Sequence, residues 1–289
     1  MYGYLRLSVI YLDEFKIGVW KDVSEIQDPS LVALASSLPR VVLSAKARNT
    51  TVRYAYGWNR WKTWCKSKTL YLQHLLNAAK TTSPIDTAVY SIHWGLSLAG
   101  LTSPTEHPLV QSAYEGCRRI LARPREPKEP VQPHMLEKLI HKHGHNTASP
   151  ADLRLLCIVL VGYSGFLRIS EILAMQVRHI RLMPEGMSIF LPRRKNDQFR
   201  AGNTIYIAET SKSTCPVSIT KRLLQILPDD GGSCYPVVRR LQHKNGIQRF
   251  HQSRGISYST ARDIIRTNLG IFFDDLRKLG THSLRSGGA

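Results

Sequence analysis

Four prolines spaced three residues apart constrain this chain more than any other feature. Pro124, Pro127, Pro130 and Pro133 recur through Ala122-Arg-Pro-Arg-Glu-Pro-Lys-Glu-Pro-Val-Gln-Pro133, with charged residues between them. Each proline fixes its own φ, removes a backbone donor and pushes the residue before it into an extended conformation. The spacing predicts a polyproline-like connector, neither helix nor central strand. It sets the expected organisation: an extension of unknown role over 1–44, a helical domain over 45–122, a linker over 123–133 and a second domain over 134–289.

Before the connector the pattern is helical. Asn49-Thr50-Thr51 offers N-caps to a segment with Tyr54, Trp58, Trp61 and Cys65 at i, i+4, i+7 and i+11, which places an aromatic stripe on one helix face. That stripe reads as core, with Arg53, Arg60 and Lys62 around it within reach of an anionic partner. Apolar helical patterns follow over 69–79, 84–99 and 107–122, the last ending Arg118-Arg119. After the connector, Ser149-Pro150-Ala151-Asp152 supplies an N-cap, a proline at the first helical position and an acid in the first turn, predicting a buried helix through Val161. A second helical segment is expected over 166–175. Val177–Leu182, Met187–Pro192 and Thr204–Ala208 then read as a small antiparallel sheet, and helices return over 217–227 and 258–272. The fold class expected is mainly α with a three-stranded antiparallel sheet.

The 43% hydrophobic content of the 289 residues supports real cores. The formal net charge of +19, from 40 Lys and Arg against 21 Asp and Glu, favours a polyanionic partner, with nucleic acid ahead of an anionic membrane surface. The five cysteines are odd in number, scattered and free of any CxxC pair. They point away from a disulfide framework and a zinc site, and fit a reducing intracellular compartment. The most apolar run, Leu155 to Val161, is too short to span a membrane, and the N-terminus, with Arg6 inside its apolar stretch, is a poor signal peptide. His141, His143 and His145 alternate without a nearby cysteine and read as a solvated helix end rather than a metal site.

Three places in the second domain carry candidate chemistry. Arg168 and Glu171, three apart, would share a helix face; alone they read as a surface ion pair, but a guanidinium emerging from packed surroundings needs a carboxylate partner. Lys195 lies in a basic turn, Pro192-Arg-Arg-Lys-Asn-Asp-Gln198, between the second and third predicted strands. A lysine there can transfer a proton where an arginine cannot. His282 and Arg285, three apart after Thr281 as a candidate N-cap, would place a cation and a hydrogen-bonding ring on one face near a helix N-terminus.

Taken together, Gly165-Phe-Leu-Arg168-Ile-Ser-Glu171, Lys195-Asn-Asp-Gln198 and His282-Ser-Leu-Arg285-Ser-Gly-Gly resemble, in order and spacing, the tyrosine recombinase (phage integrase) family. The resemblance covers residues 45–289, and Asn49-Thr-Thr-Val-Arg-Tyr54 with Trp61-Lys-Thr-Trp-Cys65, Pro104-Thr-Glu-His-Pro-Leu-Val110 and Gly116-Cys-Arg-Arg119 look most like the recombinases of eukaryotic DIRS- and Ngaro-type retroelements. It implies a SAM-like helical core-binding domain joined to a catalytic domain of the DNA breaking-rejoining fold. It implies a site-specific recombinase or integrase of a mobile element that closes as a C-shaped clamp on double-stranded DNA, assembles as a tetramer there and works in the nucleus; without a eukaryotic origin, the expected place is the cytoplasm, at the nucleoid. In that mechanism Arg168 and Arg285 clamp the scissile phosphate, His282 adds a hydrogen bond or shuttles a proton, Lys195 protonates the leaving 5′-oxygen and Glu171 supports Arg168. A tyrosine forms a 3′-phosphotyrosyl intermediate, with no metal or other cofactor and no membrane partner expected. Arg53, Arg60, Lys62, Arg118, Arg119, Arg193 and Arg194 are the expected DNA contacts.

The sequence departs from the family at one point. The nucleophilic tyrosine is expected beyond the His-x-x-Arg box, and none of the twelve tyrosines follows Arg285; Tyr235 and Tyr258 precede it and read as packing residues. The expectation is a recombinase chain truncated before its nucleophile and inactive in cleavage by itself. The alternatives are a DNA-binding remnant adopted by a host and, less well matched by the helical first domain, a type IB topoisomerase.

Overall fold

The computed structural model describes residues 14–65, 71–124, 127–192, 194, 201–228, 234–244 and 246–288. They form two units, Met1–Arg125 and Glu126–Ala289, and the whole is mainly helical with two small antiparallel sheets.

The first unit contains helices α1 (Trp20–Ser24), α2 (Pro29–Ser44), α3 (Arg48–Cys65), α4 (Tyr71–Ala78), α5 (Ser83–Leu98) and α6 (Pro108–Leu121). Trp58 of the predicted stripe is in its core, with Tyr54 and Trp61 half-buried against it. Trp58 is buried and stacks on Trp61 at 4.8 Å, and Tyr54 lies 5.9 Å from Trp94 of α5. Two glycines allow this packing. A Cβ on Gly95 would meet the Trp58 ring at 2.4 Å, and one on Gly57 would meet Ser91 Oγ at 2.2 Å. Tyr114 of α6 donates to Asp86 of α5 at 2.8 Å, tying the last helix to the bundle. Sequence periodicity gave no sign of α2. Asp28 caps it, accepting from the Ser30 N–H at 2.8 Å, and Pro29 opens it, yet none of its sixteen residues is buried.

The second unit is organised around one helix. It contains α7 (Pro133–His143), α8 (Pro150–Ser164), α9 (Ile169–Ala174), β1 (Ile180–Met183), β2 (Gly186–Leu191), β3 (Asn203–Ala208), α10 (Pro216–Ile226), β4 (Arg239–Lys244), β5 (Ile247–Gly255), α11 (Tyr258–Leu269) and α12 (Ser283–Gly288). Ser149 caps α8 as expected: its Oγ accepts from the Asp152 N–H at 3.2 Å, and Asp152 accepts from the Ser149 N–H at 3.1 Å. Residues Leu155 through Gly162 are all buried, and α7, α9, α10, α11 and α12 all pack on this helix. β1, β2 and β3 form the expected meander, with Ile189 opposite Ile180 on one side and Ile205 on the other.

A second hairpin, β4–β5, had no counterpart in the sequence reading. Its strands, Arg-Arg-Leu-Gln-His-Lys and Ile-Gln-Arg-Phe-His-Gln-Ser-Arg-Gly, lack apolar alternation because a single inward arginine does part of the work. Arg239 is buried, donates from Nε to the Pro236 carbonyl at 2.8 Å, and also donates to the Gln252 carbonyl. Among the described residues no helix is long and apolar enough to cross a membrane.

Candidate phosphate-binding site

The site begins where α8 ends. The expected helix over 166–175 is shorter than the sequence suggested. Gly165 terminates α8, Phe166 takes a left-handed conformation at φ 50°, Leu167 is buried, and only then does α9 start. A non-glycine residue at positive φ is uncommon and costs energy unless the fold holds it there. The reversal makes Arg168 the N-cap of α9 and Glu171 its third residue. Their spacing of three therefore comes from capping rather than from a shared helix face. Glu171 Oε2 accepts from the Arg168 backbone N–H at 2.8 Å, while Oε1 accepts from Arg168 Nη1 at 2.9 Å.

This is not a surface pair. The Glu171 side chain is 4% exposed and that of Arg168 21%. Arg194 approaches the same oxygen, with Nε 3.6 Å from Glu171 Oε1. A buried carboxylate is tolerable only when paired and hydrogen-bonded. Here one carboxylate fixes the Arg168 guanidinium at the edge of solvent, where a planar donor array suits the oxygens of a phosphate.

The His282-Ser-Leu-Arg285 segment reaches the same place through small residues. Leu284 is fully buried and packs near Gly162. A Cβ on Gly287 would fall 2.0 Å from the Val131 carbonyl oxygen, and one on Gly288 would fall 2.0 Å from that of Tyr163 and 3.2 Å from the Phe166 ring. The two glycines thus let α12 lie directly against the turn that precedes Arg168. The helix starts one residue later than a Thr281 cap would imply: His282 accepts from the Ser286 N–H at 3.0 Å and is exposed, while Arg285 is partly buried.

Two further contacts hold this segment. The second half of the proline run lies beside it: Glu129 donates from its N–H to the Lys278 carbonyl at 3.0 Å, Val131 to the Ser283 carbonyl at 2.9 Å, and Glu129 pairs with Lys278 at 2.6 Å. The alternate residues 129 and 131 donate, and Pro130 between them needs no acceptor, as an extended proline segment allows. Tyr258, expected to be a packing residue, is instead half-exposed at the start of α11, with its hydroxyl 2.8 Å from that of Thr281. The hydroxyl next to His282 was the only sequence signal for that contact.

Lys195 and Arg193 lie outside the described residues. In the first unit, Arg53 lies 5.8 Å from the Tyr54 ring and Lys62 5.6 Å from that of Trp58. Arg118 contacts Glu115 at 3.2 Å and Asp86 at 3.5 Å, while Arg60 and Arg119 are exposed. His143 is not paired with His141 or His145; it lies 2.6 Å from Asp152, the acid of the α8 cap. Among the described residues no group of three or more His, Cys, Asp or Glu is placed to hold a metal ion. Cys117, Cys157 and Cys215 are buried and Cys234 is exposed; complete burial pushes the Cys157 thiol up to about 12, which keeps it protonated and inert.

No family model matches the chain. An integrase/recombinase XerD homolog from Selenomonas ruminantium is 25% identical over 269 residues, 88% of this chain and 76% of that protein. Among solved structures, a lambda integrase dimer bound to a COC′ core site aligns with a TM-score of 0.48 and 10% identity, over 91% of this chain and 73% of that one. XerH site-specific recombinase bound to palindromic difH substrate aligns with a TM-score of 0.44 and 13% identity, over 98% and 82%.

Proposed function

We propose that this chain is a site-specific tyrosine recombinase or integrase that binds DNA and grips its phosphate. One observation carries the reading: a buried glutamate orients Arg168 at a strained turn, and glycine packing brings the end of α12, whose first turn carries Arg285, against that same turn. The similarity to an integrase/recombinase across 88% of the chain supports it, as does the surplus of 19 positive charges.

In this reading the DNA phosphate sits between Arg168 and Arg285, whose guanidinium groups stabilise the extra charge of the pentacoordinate transition state. His282 donates to a non-bridging oxygen. A tyrosine hydroxyl attacks phosphorus and gives its proton to water, the bond to the 5′-oxygen breaks, and Lys195 protonates that oxygen. The 3′-phosphotyrosyl bond conserves the energy needed for rejoining, so neither metal nor nucleotide is consumed. No tyrosine of this sequence follows Arg285, and none of its twelve is assigned as the nucleophile. Origin in a eukaryotic mobile element, action in the nucleus and tetrameric assembly on DNA belong to the same proposal.

The test has two arms. The chain should bind duplex DNA with an affinity that falls steeply between 50 and 200 mM salt, about 10³-fold if six phosphates are contacted, and should form no covalent adduct. Supplied with a tyrosine-bearing segment, it should form adducts on a nicked duplex carrying its selected site. Arg168→Ala or Arg285→Ala should abolish them while sparing most binding, and adducts persisting at wild-type level would refute the clamp. If duplex binding occurs and no tyrosine-bearing segment restores cleavage, the second reading, a DNA-binding protein without catalysis, replaces the first.

A further inference from the structure

We propose that Arg194 is a positioning residue, which anchors the base of the β2–β3 hairpin to the phosphate-binding site by sharing the Glu171 carboxylate with Arg168. The catalytic consequence rests on the recombinase reading; the anchoring itself does not.

The sequence around Arg194 is a run of three cations, Arg193-Arg194-Lys195, which by composition alone faces outward to solvent or to DNA. Arg194 does not. Its side chain is three-quarters buried, and its Nε lies 3.6 Å from an oxygen of Glu171, itself 4% exposed and 23 positions earlier in the chain. That oxygen also accepts from Arg168 Nη1 at 2.9 Å. Two guanidinium groups repel when brought together, and the shared carboxylate is what makes their approach favourable. Arginine suits the task because its planar group can meet a carboxylate edge-on while its aliphatic stem packs.

The next residue along the chain is Lys195, one peptide unit or about 3.8 Å further. Glu171 is then more than a support for one arginine: it is the joint that holds the Arg168 turn and Arg194, just beyond β2, together. A guanidinium committed to this joint is not offered to a DNA phosphate.

The experiment uses the full chain without DNA and then with it. Amide hydrogen exchange of the peptide spanning 192–202, read by mass spectrometry, should accelerate about tenfold in Arg194→Ala, the size expected for loss of a coupled pair. Arg194→Lys, which keeps the charge, should fall between Arg194→Ala and the wild type, and Arg193→Ala should match the wild type. The Arg194→Ala/Glu171→Gln double variant should exchange no faster than Arg194→Ala, because both changes break one joint. In the second arm, affinity of Arg194→Ala for a random duplex of about 30 base pairs should stay within about twofold of wild type, with an unchanged salt slope. Unchanged exchange in Arg194→Ala would overturn the proposal. So would a weakened affinity whose salt slope falls by about one, which would make Arg194 a phosphate contact. Failure of the wild-type chain to bind any duplex would sink the recombinase reading while leaving the exchange arm to decide the anchoring.

Discussion

Helices α2 and α8 begin alike and end up in opposite circumstances. Each has a polar N-cap, Asp28 or Ser149, followed by a proline at the first helical position, and they run for sixteen and fifteen residues. Helix α8 buries eight consecutive residues and becomes the axis of its unit; α2 buries none, and leaves Leu34 65% and Val41 61% exposed. Local chemistry thus sets where a helix starts, and what the rest of the chain brings around it sets what that helix is worth. The end of α8 supports the strained turn before Arg168 and receives α12.

If that contrast is right, the largest effects lie on α8. Leu156→Ala removes a fully buried side chain and should cost about 2–5 kcal/mol, measured by denaturant unfolding of the second unit followed by hydrogen exchange. Next comes the junction with α12. Gly288→Ala inserts a methyl group 2.0 Å from the Tyr163 carbonyl oxygen, an overpacking cost of about 1–3 kcal/mol. The readout specific to the site is protection of the amides over 284–288, which should fall while protection within α8 persists. Wild-type protection in that variant would mean the close approach is not needed.

The same contrast explains what could be read in advance. The α8 helix was legible because capping, proline placement and an unbroken apolar run agree, and the β1–β3 meander because its segments are short, rich in β-formers and set apart by turn residues. The candidates Arg168, Glu171, His282 and Arg285 were visible as types and spacings, but the reason for the first spacing was not. A left-handed Phe166 is not written in Gly-Phe-Leu-Arg, and it converts a presumed helix face into a cap. Helix α2 escaped because Ser-Leu-Val-Ala-Leu-Ala-Ser-Ser-Leu-Pro-Arg-Val-Val-Leu-Ser places Pro39 within the pattern. The β4–β5 hairpin escaped because a buried arginine replaces the expected apolar residue. The Arg194–Glu171 contact joins positions 23 apart through a fold that no local window contains.

Acid should separate the two helices at their first turns. Asp28 is held below the usual carboxylate range by the Ser30 hydroxyl and by the Ser30 and Leu31 backbone N–H groups. Burial acts in the opposite direction on Asp152 and is outweighed by the Ser149 hydroxyl, His143 and the Ser149 N–H, so its carboxyl is also lowered. A depressed folded-state pKa stabilises above the unfolded value, near 4 for Asp, and the contribution is lost as pH falls through the folded value. Both caps should therefore hold at neutral pH and fail below about pH 4. Loss at Asp28 should appear as local fraying of α2 by hydrogen exchange, with no change in global unfolding. Loss at Asp152 should lower the denaturation midpoint of the second unit, and Asp152→Asn should flatten that pH dependence.

The smallest predicted effect tests the comparison most directly. Leu34→Ser and Val41→Ser change apolar residues that the structure leaves open to solvent, and each should alter unfolding of the first unit by no more than about 0.5 kcal/mol. The same class of change at Leu156 is expected to cost several times more, although both helices carry leucines at helical spacing. A cost above about 1 kcal/mol at Leu34 or Val41 would mean that α2 has a partner surface in solution, and its dependence on protein concentration would tell a second copy from the chain's own residues. The pair of helices would then differ only in which surface covers them, and α8 alone would show that burial, not the start signal, decides a helix's role.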